Sequence, residues 1–212
     1  VIPEAVLSEY VAGLKAGDRR RAIGAIADAH AAGVDLRTLY LAVLQPALRE
    51  VGRLWECGEL TVAQEHLATA ITQTVMSRLA MDAPLPAAGG PTVLAACLDA
   101  ERHAVGLRML CDLLELEGWT AVYLGATVPA RDLVQMIAER RPQALALSVS
   151  LPPHLLAVRQ AISEVRSLGS PQPIVVVGGR AVTGPEIAER LGADFTASDA
   201  GAAVEELKRR VQ

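Results

Sequence analysis

The chain has 212 residues, of which 51% are apolar and 3% aromatic, and a formal net charge of −4. That length allows one large domain or two small ones, each able to bury a core. The mild negative charge argues against a general nucleic-acid surface, and no apolar run approaches the ~20 residues that a bilayer span needs.

The opening segment VIPEAVLSEY lacks the basic and apolar regions of a secretory signal. It also lacks an initiator Met, which points to a processed or excised piece. Apolar residues then recur at i, i+3, i+4 and i+7 over 3–16, 18–32, 35–57 and 60–82, which predicts four helices. In the third, Leu39, Val43, Leu44, Leu48, Val51 and Leu54 form the stripe. Asp18, Asp35 and Thr61 stand at N-cap positions, and Gly17, Gly33 and Gly58 fall in the intervening turns. Pro46 predicts a kink rather than an end, because the stripe continues past it. Short connections make a four-helix bundle the expected architecture of residues 1–82.

Residues 83–91, APLPAAGGP, break the pattern with three prolines and two glycines and read as an interdomain linker. Beyond it, short apolar strands at 92–98, 120–125, 144–150, 173–179 and 194–198 alternate with helices near 103–117, 129–141, 153–168, 184–191 and 200–211. Strands apolar on both faces, separated by helices, imply a parallel sheet covered on both sides. The expected fold is therefore α + α/β: the bundle, then a flavodoxin-like (Rossmann-like) five-stranded domain over 92–212 in the order 2-1-3-4-5.

Ligands of such sheets bind outside the carboxyl ends of the strands. His103, in the loop after the first strand, stands at that mouth. Its imidazole can ligate a metal if an acceptor holds the other ring nitrogen, and Glu101 is close enough to do so. Taken alone, His103 also reads as a residue capping its own loop. Gly106 lets a bulky ligand approach the next helix, and Gly125 closes the second strand with a permissive backbone. Ser148 and Ser150 end the third strand with hydroxyls. Gly178 and Gly179 end the fourth, leaving room for a flat or extended group. Each is common by itself in doubly wound folds. GxGxxG, GxxxxGK[ST] and HExxH are absent, so catalysis by the chain lacks support. His154, after Pro152 and Pro153, reads as a helix cap.

Together, E-x-H-x-x-G, the serine after strand three and the later G-G resemble the cobalamin-binding domain of methionine synthases, mutases and related sensors. The resemblance covers roughly residues 91–212, with Glu101 where the usual form has Asp. It implies cobalamin bound base-off, its dimethylbenzimidazole tail inserted between the sheet and a flanking helix. His103 would be the lower axial cobalt ligand, Glu101 its partner and Ser148 a contact to the buried base. Gly178 and Gly179 would clear space for the nucleotide tail.

In the helical half, Trp55 ends the third helix, while Glu65 and His66 lie in the first turns of the fourth. A helix–turn–helix corner would bring the three together. The indole could cover an apolar group and the polar pair could bond a ribose or base. The plainer alternative is a packed Trp beside two solvated residues. With LREVGRLWECGELTVAQEHLA and YLGATVP, this W…EH arrangement resembles the adenosylcobalamin-dependent light sensors of the CarH type along nearly the whole chain. The resemblance implies a bundle capping the upper face of cobalamin, with Trp55, Glu65 and His66 covering the adenosyl group. It also implies a homo-oligomer and a role in transcription regulation.

Two departures stand out. Glu56 follows the Trp where those sensors can carry a cobalt-capturing His, so His66, His30 or water would have to serve. The DNA-binding helix-turn-helix domain of those regulators is not in the sequence, so output would run through a removed domain, a partner or oligomer rearrangement. A corrinoid methyl-carrier protein of a methyltransferase system shares the same plan and is the alternative reading. A domain for storage or ligand sensing is a third. Cys57 is placed to attach a second chromophore such as a bilin, although a small packed thiol is the simpler reading. Three cysteines without CxxC spacing suit a reducing cytoplasm. The expectation is a cytoplasmic, non-enzymatic module without membrane or direct nucleic-acid contact.

Overall fold

The computed structural model describes residues 3–84, 86–87 and 89–211. Leu85 and Ala88 of the predicted linker, and Val1, Ile2 and Gln212 at the ends of the predicted domains, lie outside the described residues. The chain divides into two compact units between Ala83 and Pro84. Among the described residues, no helix is long and apolar enough to cross a membrane.

The first unit is helical: α1 (Pro3–Ala16), α2 (Arg19–Ala31), α3 (Leu36–Thr38), α4 (Gln45–Glu56) and α5 (Val62–Asp82). The predicted caps form. Asp18 accepts from the Arg21 N–H, Asp35 from the Thr38 N–H, and Thr61 and Gln64 make a reciprocal capping box. A π-helical segment, Leu39–Leu44, joins α3 to α4 without a break and takes the place of a simple proline kink. The N–H of Gln45 reaches back five residues to the Tyr40 carbonyl, a wider turn that accommodates Pro46, which has no N–H and crowds the preceding turn. Beyond it Ala47 is fully buried while Leu48 is only half-buried.

Tyr10, Leu14, Ile26, Leu39, Tyr40, Leu54, Ile71 and Met76 fill this unit's core. Its buried polar pair is satisfied. The Thr72 hydroxyl donates to the Ala68 carbonyl (2.9 Å), so the Tyr10 hydroxyl must donate to Thr72 Oγ1 (2.9 Å). Helices α1 and α2 meet closely at Gly13, where an added Cβ would lie 2.9 Å from the backbone nitrogen of Ala22.

The second unit alternates β1 (Thr92–Leu98), α6 (Val105–Leu116), β2 (Thr120–Val128), α7 (Ala130–Arg140), β3 (Ala144–Ser148), α8 (Leu155–Ser167), β4 (Ile174–Gly178), α9 (Pro185–Leu191), β5 (Phe195–Thr196) and α10 (Ala200–Val211). The strands pair in parallel in the order 2-1-3-4-5, as the alternation of strands and helices predicts. Strand β3 is buried along its whole length and β1 nearly so, the mark of a sheet covered on both faces. Leu133 and Ile137 of α7 and Val158 and Ile162 of α8 pack on Leu94, Leu145 and Val175. Helices α6 and α10 pack against each other and on the sheet. Several strand ends differ from the sequence reading. Ser150 lies in the loop beyond β3, Gly179 in the turn beyond β4, and β5 has only two residues. Strand β2 does not close at Gly125 but continues to Val128, because Gly125 sits at a bulge.

Helix propensity alone would make Gly13→Ala stabilising by about 1 kcal/mol. The close approach of Ala22 reverses the sign. Gly13→Ala is expected to lower the stability of the helical unit by about 1–2 kcal/mol, read as an earlier midpoint in urea denaturation. A later midpoint would contradict this packing.

Candidate functional site

The site is organised by a carboxylate. Glu101, 1% exposed, is the one charged side chain in the buried set of the described residues. The chain turns sharply after β1, with the Glu101 N–H donating to the Leu98 carbonyl (2.9 Å). Glu101 Oε1 then accepts the backbone N–H of His103 (3.0 Å) and is also bonded to His103 Nδ1. Oε2 accepts the N–H groups of Ser150 (2.7 Å) and Leu151 (3.3 Å) and is bonded to Nδ1 of His154 (3.1 Å). Burial pushes the Glu101 carboxyl up, but the His103 and Ser150 N–H groups and the two imidazoles outweigh it and hold the group down at about 2. The carboxylate is thus charged and fully occupied.

This arrangement sets the chemistry of His103. An ionised carboxylate only accepts, so Nδ1 must be the N–H, and in the neutral ring the lone pair is then on Nε2. The side chain is 57% exposed while its carboxylate partner is buried. Nε2 is therefore free to bind a metal, and its tautomer is locked from behind. Among the described residues no group of three His, Cys, Asp or Glu side chains could hold a metal ion. A single imidazole suits a metal that brings its own ring of ligands.

His154 was not legible as part of this site. It occupies the N-cap position of α8, but its side chain makes no cap bond, so the helix-cap reading is corrected. A 3₁₀ turn over Pro152–His154 brings its ring to Glu101, 53 residues away in sequence. Only the Pro-Pro turn signal hinted that the chain bends there.

The remaining predicted residues divide. Ser148 is buried, and the Cys97 thiol, which burial and the Glu101 charge push up to about 12, donates to the His103 carbonyl (3.7 Å). Ser150 joins the site through its backbone rather than its hydroxyl. A Cβ on Gly106 or on Gly178 would meet nothing within 4 Å, so both leave open space. Gly179 is different. Its φ of +96° and the Val149 carbonyl oxygen 2.3 Å from any Cβ make glycine necessary for the chain itself. Gly125, at φ +79°, serves the β2 bulge.

In the helical unit, Glu65 and His66 are brought together. His66 Nδ1 lies 2.5 Å from Glu65 Oε2, and Glu65 Oε1 accepts from the Thr69 hydroxyl (2.8 Å). Trp55 is 45% exposed, which corrects the alternative of a Trp packed into the bundle, and no hydrogen bond joins it to that pair among the described residues. Cys57 is exposed, which corrects the packed-thiol reading; its Sγ lies 3.9 Å from Arg53 Nη1. His30 Nδ1 bonds the Val34 carbonyl at 3.0 Å, tying that ring to its own turn.

A family model described as B12 binding domain matches residues 6–80, and a second of the same description matches residues 91–208. The HTH-type transcriptional repressors CarA and CarH of Myxococcus xanthus are 35% and 33% identical to the chain over 135 and 150 residues. Those matches cover 64% and 70% of this chain but 45% and 50% of theirs. The chain therefore spans about half the length of these regulators. The trimethylamine corrinoid protein of Methanosarcina barkeri is 26% identical over 187 residues, 85% of each chain. The solved structure of the Methanosarcina barkeri monomethylamine corrinoid protein matches with a TM-score of 0.82 at 16% identity, covering 100% of both chains, a likeness of fold.

Because its carboxyl is held low, Glu101 contributes stability that is complete above the unfolded value near 4.5 and is lost as pH falls through about 2. The contribution is about 3 kcal/mol. Glu101→Gln should destabilise the apo-protein by about that amount at pH 7, with the difference closing towards pH 2 in denaturation series. A difference independent of pH would contradict the charged, occupied carboxylate.

Proposed function

The chain belongs to the B12-binding domain family, and on that footing we propose that it is a light-responsive sensory module that binds adenosylcobalamin and uses His103 as the lower cobalt ligand. The observation that carries the reading is the His103–Glu101 pair, in which a buried, ionised carboxylate holds Nδ1–H and leaves Nε2 available. The donor set fits a metal already held in a macrocycle, because it offers one exposed imidazole nitrogen. The open directions at Gly106 and Gly178 fit a bulky group lying over the ends of the strands.

Adenosylcobalamin supplies a cobalt–carbon bond that visible light can break. The chain's own residues hold and sense what is attached there. We assign to Trp55 the apolar cover of the adenosyl group and to Glu65 and His66 its polar contacts. An exposed indole and a pre-paired carboxylate–imidazole on the following helix support that assignment. Losing those contacts in the light gives the differential interaction that any switch requires. With Glu56 after the Trp, no histidine at that position is available to hold cobalt afterwards. The module is proposed to be non-enzymatic and to act through an oligomer or an output domain. Transcription regulation, stated in the names of CarA and CarH, enters here as part of the same proposal.

The alternative is a corrinoid methyl carrier, favoured by the match to the trimethylamine corrinoid protein over most of both chains. A carrier needs an upper face that partner enzymes can reach, which a tryptophan cover would obstruct.

The two readings separate on one preparation. Protein loaded with adenosylcobalamin in the dark should show a base-off, histidine-ligated visible spectrum that changes under green light; a light-inert spectrum would sink the sensor reading. His103→Ala should abolish the histidine-ligated signature. Trp55→Ala should weaken retention of adenosylcobalamin roughly tenfold relative to methylcobalamin, whereas equal retention of both by wild type and variant would favour the carrier.

A further inference from the structure

Strand β2 behaves unusually at its far end. Its register against β1 slips twice, so that Ala96 faces Gly125 and Leu98 faces Val128. The extra residues carry the strand across the loop that bears His103. Three bonds join the two segments. The Asp99 N–H donates to the Val128 carbonyl (2.9 Å), the Thr127 N–H to the Glu101 carbonyl (3.1 Å) and the Tyr123 hydroxyl to the Ala104 carbonyl (3.3 Å).

Thr127 makes its bond from the left-handed region, at φ +57°. That conformation is an outlier for a β-branched residue, whereas glycine or asparagine adopts it with less strain. The backbone bonds explain why position 127 is left-handed, but they do not explain a threonine there. Its side chain is exposed, and its hydroxyl has no hydrogen-bond partner among the described residues. The fold itself therefore gains nothing visible from the side chain that carries the strain. Strained residues of this kind cluster where a ligand is gripped, and Thr127 is bonded directly to Glu101, two residues from His103.

We propose that Thr127 is a ligand-contacting residue whose hydroxyl hydrogen-bonds an amide side arm of the corrin ring, its strained conformation being retained to present that hydroxyl. The inference rests on the cobalamin-binding reading above. A hydroxyl both donates and accepts, so it matches a neutral carboxamide through either the amide carbonyl or the amide N–H.

The test compares wild type with Thr127→Gly, Thr127→Ser and Thr127→Val. Each apo-protein is unfolded in urea and each is titrated with adenosylcobalamin in the dark. Thr127→Gly should raise the apo folding equilibrium constant roughly fivefold by releasing the strain, yet bind adenosylcobalamin more weakly. Thr127→Val keeps the branching and removes the hydroxyl. It should leave apo stability within about twofold and weaken binding roughly five- to tenfold, the range of one lost hydrogen bond. Thr127→Ser should bind like wild type. Equal affinity of the valine variant and wild type would overturn the hydroxyl contact, and a less stable apo glycine variant would overturn the strain. If wild type itself bound no cobalamin, the family-level reading would fail and this contact with it, while the apo comparison would still report on the strain.

Discussion

One buried carboxylate governs the sheet unit's functional end. Glu101 ties together the loop after β1, through His103, and the segment after β3, through Ser150, Leu151 and His154. Two strands that are neighbours in the sheet are thereby joined again beyond their carboxyl ends, where the sheet's own hydrogen bonds have stopped. An ionised group 1% exposed is tolerable only if its lone pairs are filled, and here backbone N–H groups and two imidazoles fill them. The same filling decides the tautomer of His103 and so which nitrogen faces outward. Structural necessity and ligand presentation are therefore one arrangement.

The helical unit contributes chemistry of a different kind. Its apolar interior is closed by tightly packed helices and a satisfied Tyr10–Thr72 pair, while Trp55, Val62 and Leu67 remain exposed around the α4–α5 turn. An exposed indole there is available to cover an apolar group. That exposure, together with the Glu65–His66 pair, is what lifts the proposed function from cobalamin binding in general to sensing of an upper axial group.

Much of this was legible in the sequence, for identifiable reasons. Helix caps are local chemistry, so Asp18, Asp35 and Thr61 could be placed from neighbouring residues alone. The strand order followed from apolar runs alternating with helices. Glu101 and His103 were readable together because they lie two positions apart. His154 was not, because its partner is 53 positions away and the bend that unites them depends on a 3₁₀ turn. The π-helical segment before Pro46 and the double slip in β2 were hidden for a related reason: both insert residues without altering the composition on either side. The glycine pair after β4 shows a third limit. Sequence treated Gly178 and Gly179 alike, whereas the backbone of Val149 demands the second and leaves the first facing open space.

The central claim is that His103 Nε2 is the nitrogen that would meet cobalt. It is tested most directly by electron paramagnetic resonance of the full chain loaded with cobalamin in its cobalt(II) form, with histidine either unlabelled or enriched in ¹⁵N. If His103 is the axial ligand, the nitrogen splitting on the cobalt lines changes from triplets to doublets on labelling, and His103→Ala removes the effect. Triplets that persist with labelled histidine would mean that the nitrogen comes from the cofactor's own base, contradicting the account.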